Sequence, residues 1–200
     1  MSNLFQKLEI EAFRAGITPR TKESMEWFRK KATQLGRPGK ALLRDESLKQ
    51  QTGLGGTPSG KMFMFFYDPK YKKTLPYYDK FPLVIVVGPA EGGFHGLNLH
   101  YLPPVLRAKF LDGLMDRVNN KKFDETTTFN LTYSYLKKAS DMSYFKPCFK
   151  HYLTQHVTSK FAMVQPPEWE IATFLPTAQF TSSSAKVSSS RVYTDSKRMV

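Results

Sequence analysis

Lysines and tyrosines interleave at two places in this chain. Lys70, Lys72, Lys73, Tyr77, Tyr78 and Lys80 crowd one short stretch. Lys137, Lys138, Lys146, Lys150 and Lys160 form a second concentration, with Tyr144 and His151 among them. Ammonium groups grip phosphates whatever the base sequence, and exposed rings stack on unpaired bases. These positions are the candidate nucleic-acid-binding residues. The competing reading packs the tyrosines inward and leaves the lysines as a solvated face.

Other reactive groups are less well placed. Gly55, Gly60 and Lys61 fit the spacing of a phosphate-cradling loop, but Met62 stands where a magnesium-binding hydroxyl belongs and a strand, not a helix, follows. His151 and His156 are five apart, a spacing that does not stack two ligands on one helical face, and His95 and His100 fall on opposite faces of a strand. Cys148 lies between Phe145 and Phe149, which reads as a packed thiol rather than a nucleophile. The acidic residues do not cluster as nuclease metal ligands do. The expectation is no catalytic residue, no metal and no cofactor.

Charge supports the polyanion reading. The 200 residues carry 30 Lys and Arg against 17 Asp and Glu, a net +13. A surface this basic meets nucleic acid, an anionic membrane face or an acidic protein. The excess is uneven: net +5 in residues 1–60 and again in 105–165, but +2 in 61–104 and +1 in 166–200. No apolar run approaches the roughly 18 residues that span a bilayer, so no membrane partner is expected. One cysteine excludes an intramolecular disulfide framework and places the chain where thiols stay reduced.

These residues need elements to hold them. Residues 1–60 read as two helices and a glycine-rich arm: Ser2 caps the first, Gly16 stops it, and Thr18-Pro19 opens the second. The arm runs from Gly36 to Gly60, with a short helix over Ala41–Gln50. Residues 61–104 read as strands at Lys61–Tyr67, Phe81–Val87 and Phe94–Tyr101, an antiparallel meander. Residues 105–180 are helical and mixed: a helix over Val105–Val118 with Arg107 largely off its apolar stripe, and Thr126–Ala139 favouring helix over strand. A short helix at Pro147–Val157, a strand at Phe161–Val164 and a segment Glu168–Leu175 after Pro166-Pro167 follow. Residues 181–200, rich in serine, read as an extended tail. The fold class is α+β: a small antiparallel sheet, or an SH3- or OB-like barrel meander, flanked by helices.

The middle of the chain also has a family look. Met62–Lys70, Leu75–Val84 and Gly93–Pro103 resemble virion-associated proteins of T4-like contractile-tailed bacteriophages, most nearly the DNA end protectors. Phe145–Pro147, His156–Phe161 and Arg191–Ser196 are similar too. The resemblance implies a non-enzymatic virion protein that binds the ends of packaged linear double-stranded DNA and shields them from exonucleases. It implies other virion proteins as partners and residence in host cytoplasm during assembly. Separately, short helices with mixed apolar faces suit assembly surfaces, which leaves a basic ring of several copies of the chain as a further option. The alternative is a structural component of the tail, baseplate or head–tail junction, in which the basic blocks face acidic neighbours.

Overall fold

Apolar residues with strand-forming β-branched and aromatic side chains dominate three consecutive segments, and these build the centre of the protein. The fold is described from a computed structural model covering residues 4–18, 21–34, 59–118, 125–175, 177–182 and 187–199. Strands β1 (Met62–Met64), β3 (Leu83–Ala90) and β4 (Gly93–Asn98) form the expected meander, extended by β5 (Phe149–Leu153) and β6 (Ala162–Val164) in the order β5-β4-β3-β1-β6. All pairings are antiparallel, with Ile85 facing both Met62 and Leu97, and Leu97 facing Phe149. The sheet stays open, with β5 and β6 as edges, so it is a sheet and not the barrel alternative. A separate two-stranded ribbon pairs β2 (Tyr78–Asp79) with β7 (Phe180–Thr181).

The pleat gives the sheet two different faces. Met62, Met64, Leu83, Ile85 and Leu97 enter the larger core, with residues from Phe5 to Val192. Phe63, Phe65, Tyr67, Val84, Val86, Phe94 and Tyr152 form a smaller, aromatic core. Phe65 is fully buried at its centre, edge-on to Tyr152 with ring centroids 5.4 Å apart. Strand β5 closes tightly on β4 because Gly93 has no side chain: a Cβ there would fall 1.8 Å from the Tyr152 carbonyl oxygen.

Helices cover the larger core. Helix α1 (Leu4–Arg14) buries Phe5, Leu8 and Ala12 and ends on Gly16 at φ +70°. Ile17 N–H donates to Ala12 and Gly16 N–H to Phe13, the glycine-terminated cap that satisfies the last carbonyls. Helix α2 (Lys22–Gln34) starts three residues later than Pro19 suggested, because Thr21 and Ser24 exchange side-chain-to-backbone hydrogen bonds, each 3.1 Å. The arm expected over Gly36–Gly60 and its short helix lie almost wholly outside the described residues. Helices α3 (Pro104–Val118) and α4 (Glu125–Asp141) pack together; in α4, Thr132, Leu136 and Ala139 are buried at helical spacing, which settles helix over strand. Helix α5 spans Trp169–Phe174. Among the described residues no helix is long and apolar enough to cross a membrane.

Three expectations are overturned. Pro147–Val157 is not helical: β5 pairs along the free edge of β4, between 3-10 turns at Lys146–Cys148 and Thr154–His156. Arg107 is not peripheral. It is 6% exposed and its guanidinium donates to the Leu102, His100 and Thr173 carbonyls, which removes this cation from the surface. The extended tail gives way to helix α6 (Ser189–Arg198), held by Val192 and Ser196, which are buried one turn apart.

Candidate nucleic-acid interface

Tyr101 ends the 3-10 turn that follows β4, and its ring is where the two lysine–tyrosine stretches meet. Lys150, from edge strand β5, places its ammonium 4.2 Å from the Tyr101 ring centre. The Tyr101 hydroxyl donates to the Tyr77 carbonyl at 3.2 Å, which ties the first stretch to the same point. Between them lies a pocket of about 360 Å³, lined by residues from Tyr67 to Asp79, by Tyr101 and by Phe149–Leu153, so buried Asp79 borders it along with Lys70 and Lys150. Of the candidates, Lys70, Tyr77, Tyr78 and Lys150 line it. Lys72, Lys73 and Lys80 are exposed on the same segment, and Lys72 is paired at 2.8 Å with Asp68. Lys137, Lys138, Lys146 and Lys160 are exposed but are not part of the pocket lining.

The wall contains groups that sequence reasoning missed. Tyr67 and Tyr152 belong to the pocket and to the aromatic core at once, so the core fixes them. Tyr67 accepts the Leu153 backbone N–H on its hydroxyl at 3.2 Å, joining both walls. Exposed Tyr71 carries the Lys70 ammonium 5.3 Å from its ring centre. Long-range contacts bring residues near 70 and near 150 together, among them the pairing of β5 with β4, a bridge between Tyr67 and Val157 and the Asp68 N–H bond to the His156 carbonyl, and neither stretch announces the other.

Electrostatics follow from burial. Lys150 is half-buried, and loss of water pushes its ammonium below the ordinary lysine range, an effect the nearby Cys148 thiol partly offsets. Burial raises the Tyr67, Tyr101 and Tyr152 phenols, which therefore stay protonated and able to donate hydrogen bonds. The described ion pairs include neither Lys70 nor Lys150, so both ammonium groups lie over rings without a carboxylate partner among the described residues. Helix α6 borders this region: Asp195 accepts from the Tyr77 hydroxyl, and Lys197 sits 4.4 Å from the Tyr144 ring centre.

The remaining reactive groups are mostly buried, although Asp79 and the exposed His151 also border the pocket. His100 Nδ1 lies 2.6 Å from the Asp79 carboxylate and Nε2 3.0 Å from the Thr177 hydroxyl, an order of groups familiar from acyl-transfer enzymes. Here His100, Asp79 and Thr177 are at most 4% exposed, so the relay joins the β2–β7 ribbon to the main sheet and no substrate reaches the hydroxyl. Burial lowers His100, and the Asp79 charge opposes that only partly. The neutral ring therefore donates from Nδ1 and accepts from Thr177. Burial disfavours the Asp79 anion, but His100 and the Gln179 and Phe81 backbone N–H groups outweigh it and hold the carboxyl below the usual range. Burial pushes the Cys148 thiol up to about 12, and the thiol donates to the Phe145 carbonyl. His95 faces His151 across β4 and β5, with ring centres 5.2 Å apart. No group of three or more potential metal ligands occurs among the described residues. Gly60, at φ +81°, and Lys61 lead directly into β1, so no helix N-terminus stands behind the phosphate-loop spacing.

The fold is α+β, with a small open antiparallel sheet flanked by helices and a pocket lined by tyrosines, Lys70, Lys150 and Asp79. Residues 5–196 match the family described as phage T4 terminal DNA protecting protein. The chain belongs to that family: it is a phage protein that binds and protects DNA ends, and the family's role is non-enzymatic. No curated protein and no solved structure matches it.

Proposed function

We propose that the protein shields a DNA end by occlusion, with the duplex terminus seated against the surface that carries the tyrosine–lysine pocket. Lys70, Lys72, Lys73, Lys80 and Lys150 contact phosphates there, Tyr77 and Tyr78 border the terminal bases, and the bulk of the fold blocks exonuclease entry. Lys137, Lys138, Lys146 and Lys160 add a second cationic surface for DNA further from the end. Partners within the virion and further copies of the chain complete the cap, which forms in host cytoplasm during assembly. The observation that carries this reading is the meeting of Lys70, Tyr77 and Tyr78 from the first stretch with Lys150 from the second on one pocket.

Competition binding tests it. Linear duplex should displace labelled linear duplex far better than covalently closed circular duplex of the same sequence. The bound protein should also slow exonuclease digestion from the ends, and raised salt should reverse both effects. Equal competition by circular and linear DNA would sink the proposal.

A further inference from the structure

Cations alone hold DNA anywhere along its length, so a basic surface does not tell an end from an interior. The pocket offers what the surface lacks. At about 360 Å³ it lies at the low end of the roughly 300–1,000 Å³ typical of small-ligand sites, enough for one nucleotide and too small for a base pair with its two backbones. Of its tyrosines Tyr71 is exposed and Tyr77 and Tyr78 are half-buried, rings of the kind that stack on a base, while Tyr67, Tyr101 and Tyr152 are buried and brace the wall. Two ammonium groups, Lys70 and Lys150, already lie over rings inside it without an ion-pair partner among the described residues.

We infer that this pocket takes a single unpaired nucleotide from the DNA terminus, with the base against the tyrosines and its phosphate against Lys70 and Lys150. Drawing a nucleotide out of a duplex costs unstacking and unpairing, and the cost is least where the base is already loose. A terminal nucleotide frays, has a stacked neighbour on one side only, and enters the pocket more cheaply than any interior one. End selectivity then follows from the energy of exposing a nucleotide, while the surrounding lysines supply affinity without selectivity. This inference rests on the proposed end-binding surface and adds to it the ligand that the pocket receives.

The experiment compares three duplexes of one sequence: open-ended linear, linear with each terminal base pair covalently crosslinked between strands, and covalently closed circular. The open ends should bind about five- to 160-fold tighter than the crosslinked ends, the range expected from stacking one base on aromatic side chains. Tyr71→Ala, at an exposed ring, and Lys150→Met, which keeps the stem against Tyr101, should each shrink that difference. A fluorescent base analogue at the terminal position should report unstacking when the wild-type protein binds, and the same analogue placed internally should not. Equal binding of open and crosslinked ends, both tighter than the circle, would overturn nucleotide capture and leave end binding intact. Loss of any preference for linear over circular DNA would overturn the end-binding surface itself. If both variants, folded by circular dichroism, keep the full open-versus-crosslinked difference, the pocket is not the receptor.

Discussion

Tyr77 and Asp195 stand 118 positions apart and share a hydrogen bond of 2.5 Å, which fastens the C-terminal helix to the pocket wall. Asp195 also lies 3.5 Å from Arg191 one turn earlier, and both contacts hold its carboxyl below the usual range. Tyr77→Phe removes the donor and leaves the ring. Hydrogen exchange over Ser189–Arg198 should speed up in this variant, while exchange in the central sheet stays as in the wild type. Unchanged exchange in the helix would mean that Val192 burial alone holds it in place.

The His100–Asp79 pair sets a pH dependence of stability. Because His100 is depressed below 6.5, the unfolded chain takes up a proton that the folded one refuses. Its contribution is complete above pH 6.5 and is lost as the pH falls. Asp79, depressed below 3.8, acts in the same direction over a lower window. Calorimetric melting temperatures should hold steady above pH 6.5, decline below it, and decline further below pH 3.8. His100→Gln should start lower and lose the first decline; a variant that keeps the wild-type slope there would show that another group titrates.

Salt dependence separates the two lysine groups. Each phosphate neutralised on duplex DNA contributes about −0.9 to the slope of log affinity against log salt. Lys70→Ala and Lys73→Ala, on the segment that walls the pocket, should each flatten the slope for short open-ended duplexes by about that amount. Lys137→Ala with Lys138→Ala should leave the slope for short duplexes unchanged and flatten it for long ones. The reverse pattern would move the terminus to helix α4.

The aromatic core carries the wall residues Tyr67 and Tyr152, so its integrity is a condition of the site. Phe65 is 0% exposed, and Phe65→Ala should cost about 3–5 kcal/mol in urea unfolding through lost burial and a cavity. A loss well under 1 kcal/mol would mean that the rings around it collapse to fill the space.

The meander was legible because Phe81–Val87 and Phe94–Tyr101 carry strand-forming residues between clear turn signals. Thr126–Ala139 leaned to helix on the spacing of Phe129, Thr132, Tyr133 and Leu136 and on its Lys137-Lys138 ending, and the structure buries Thr132 and Leu136 on one helical face together with Ala139. Strand β5 was hidden because Phe149–Leu153 has no clean alternation of burial: only Tyr152 is buried, and its extended form is imposed by pairing with β4. Helix α6 was hidden because it is polar apart from Val192 and Tyr193, and two buried positions one turn apart leave little periodic signal. Arg107 misled for a similar reason: a cation off the apolar stripe is ordinarily solvated, and its burial depends on acceptors at His100 and Leu102 in the preceding turn and at Thr173 in helix α5, 66 positions away. The lysines of the site were legible as types. Their grouping around Tyr101 depended on a strand pairing that local sequence does not encode.

Because the pocket is lined by residues from Tyr67 to Asp79, by Tyr101 and by Phe149–Leu153, no short contiguous stretch of the polypeptide contains it. On the proposed reading, a chain still emerging from the ribosome lacks the nucleotide pocket until the later strand has been translated and has docked, so capture of a terminus begins only then. Fragments cut between the two walls should be inert towards DNA termini instead of competing with the intact protein for them.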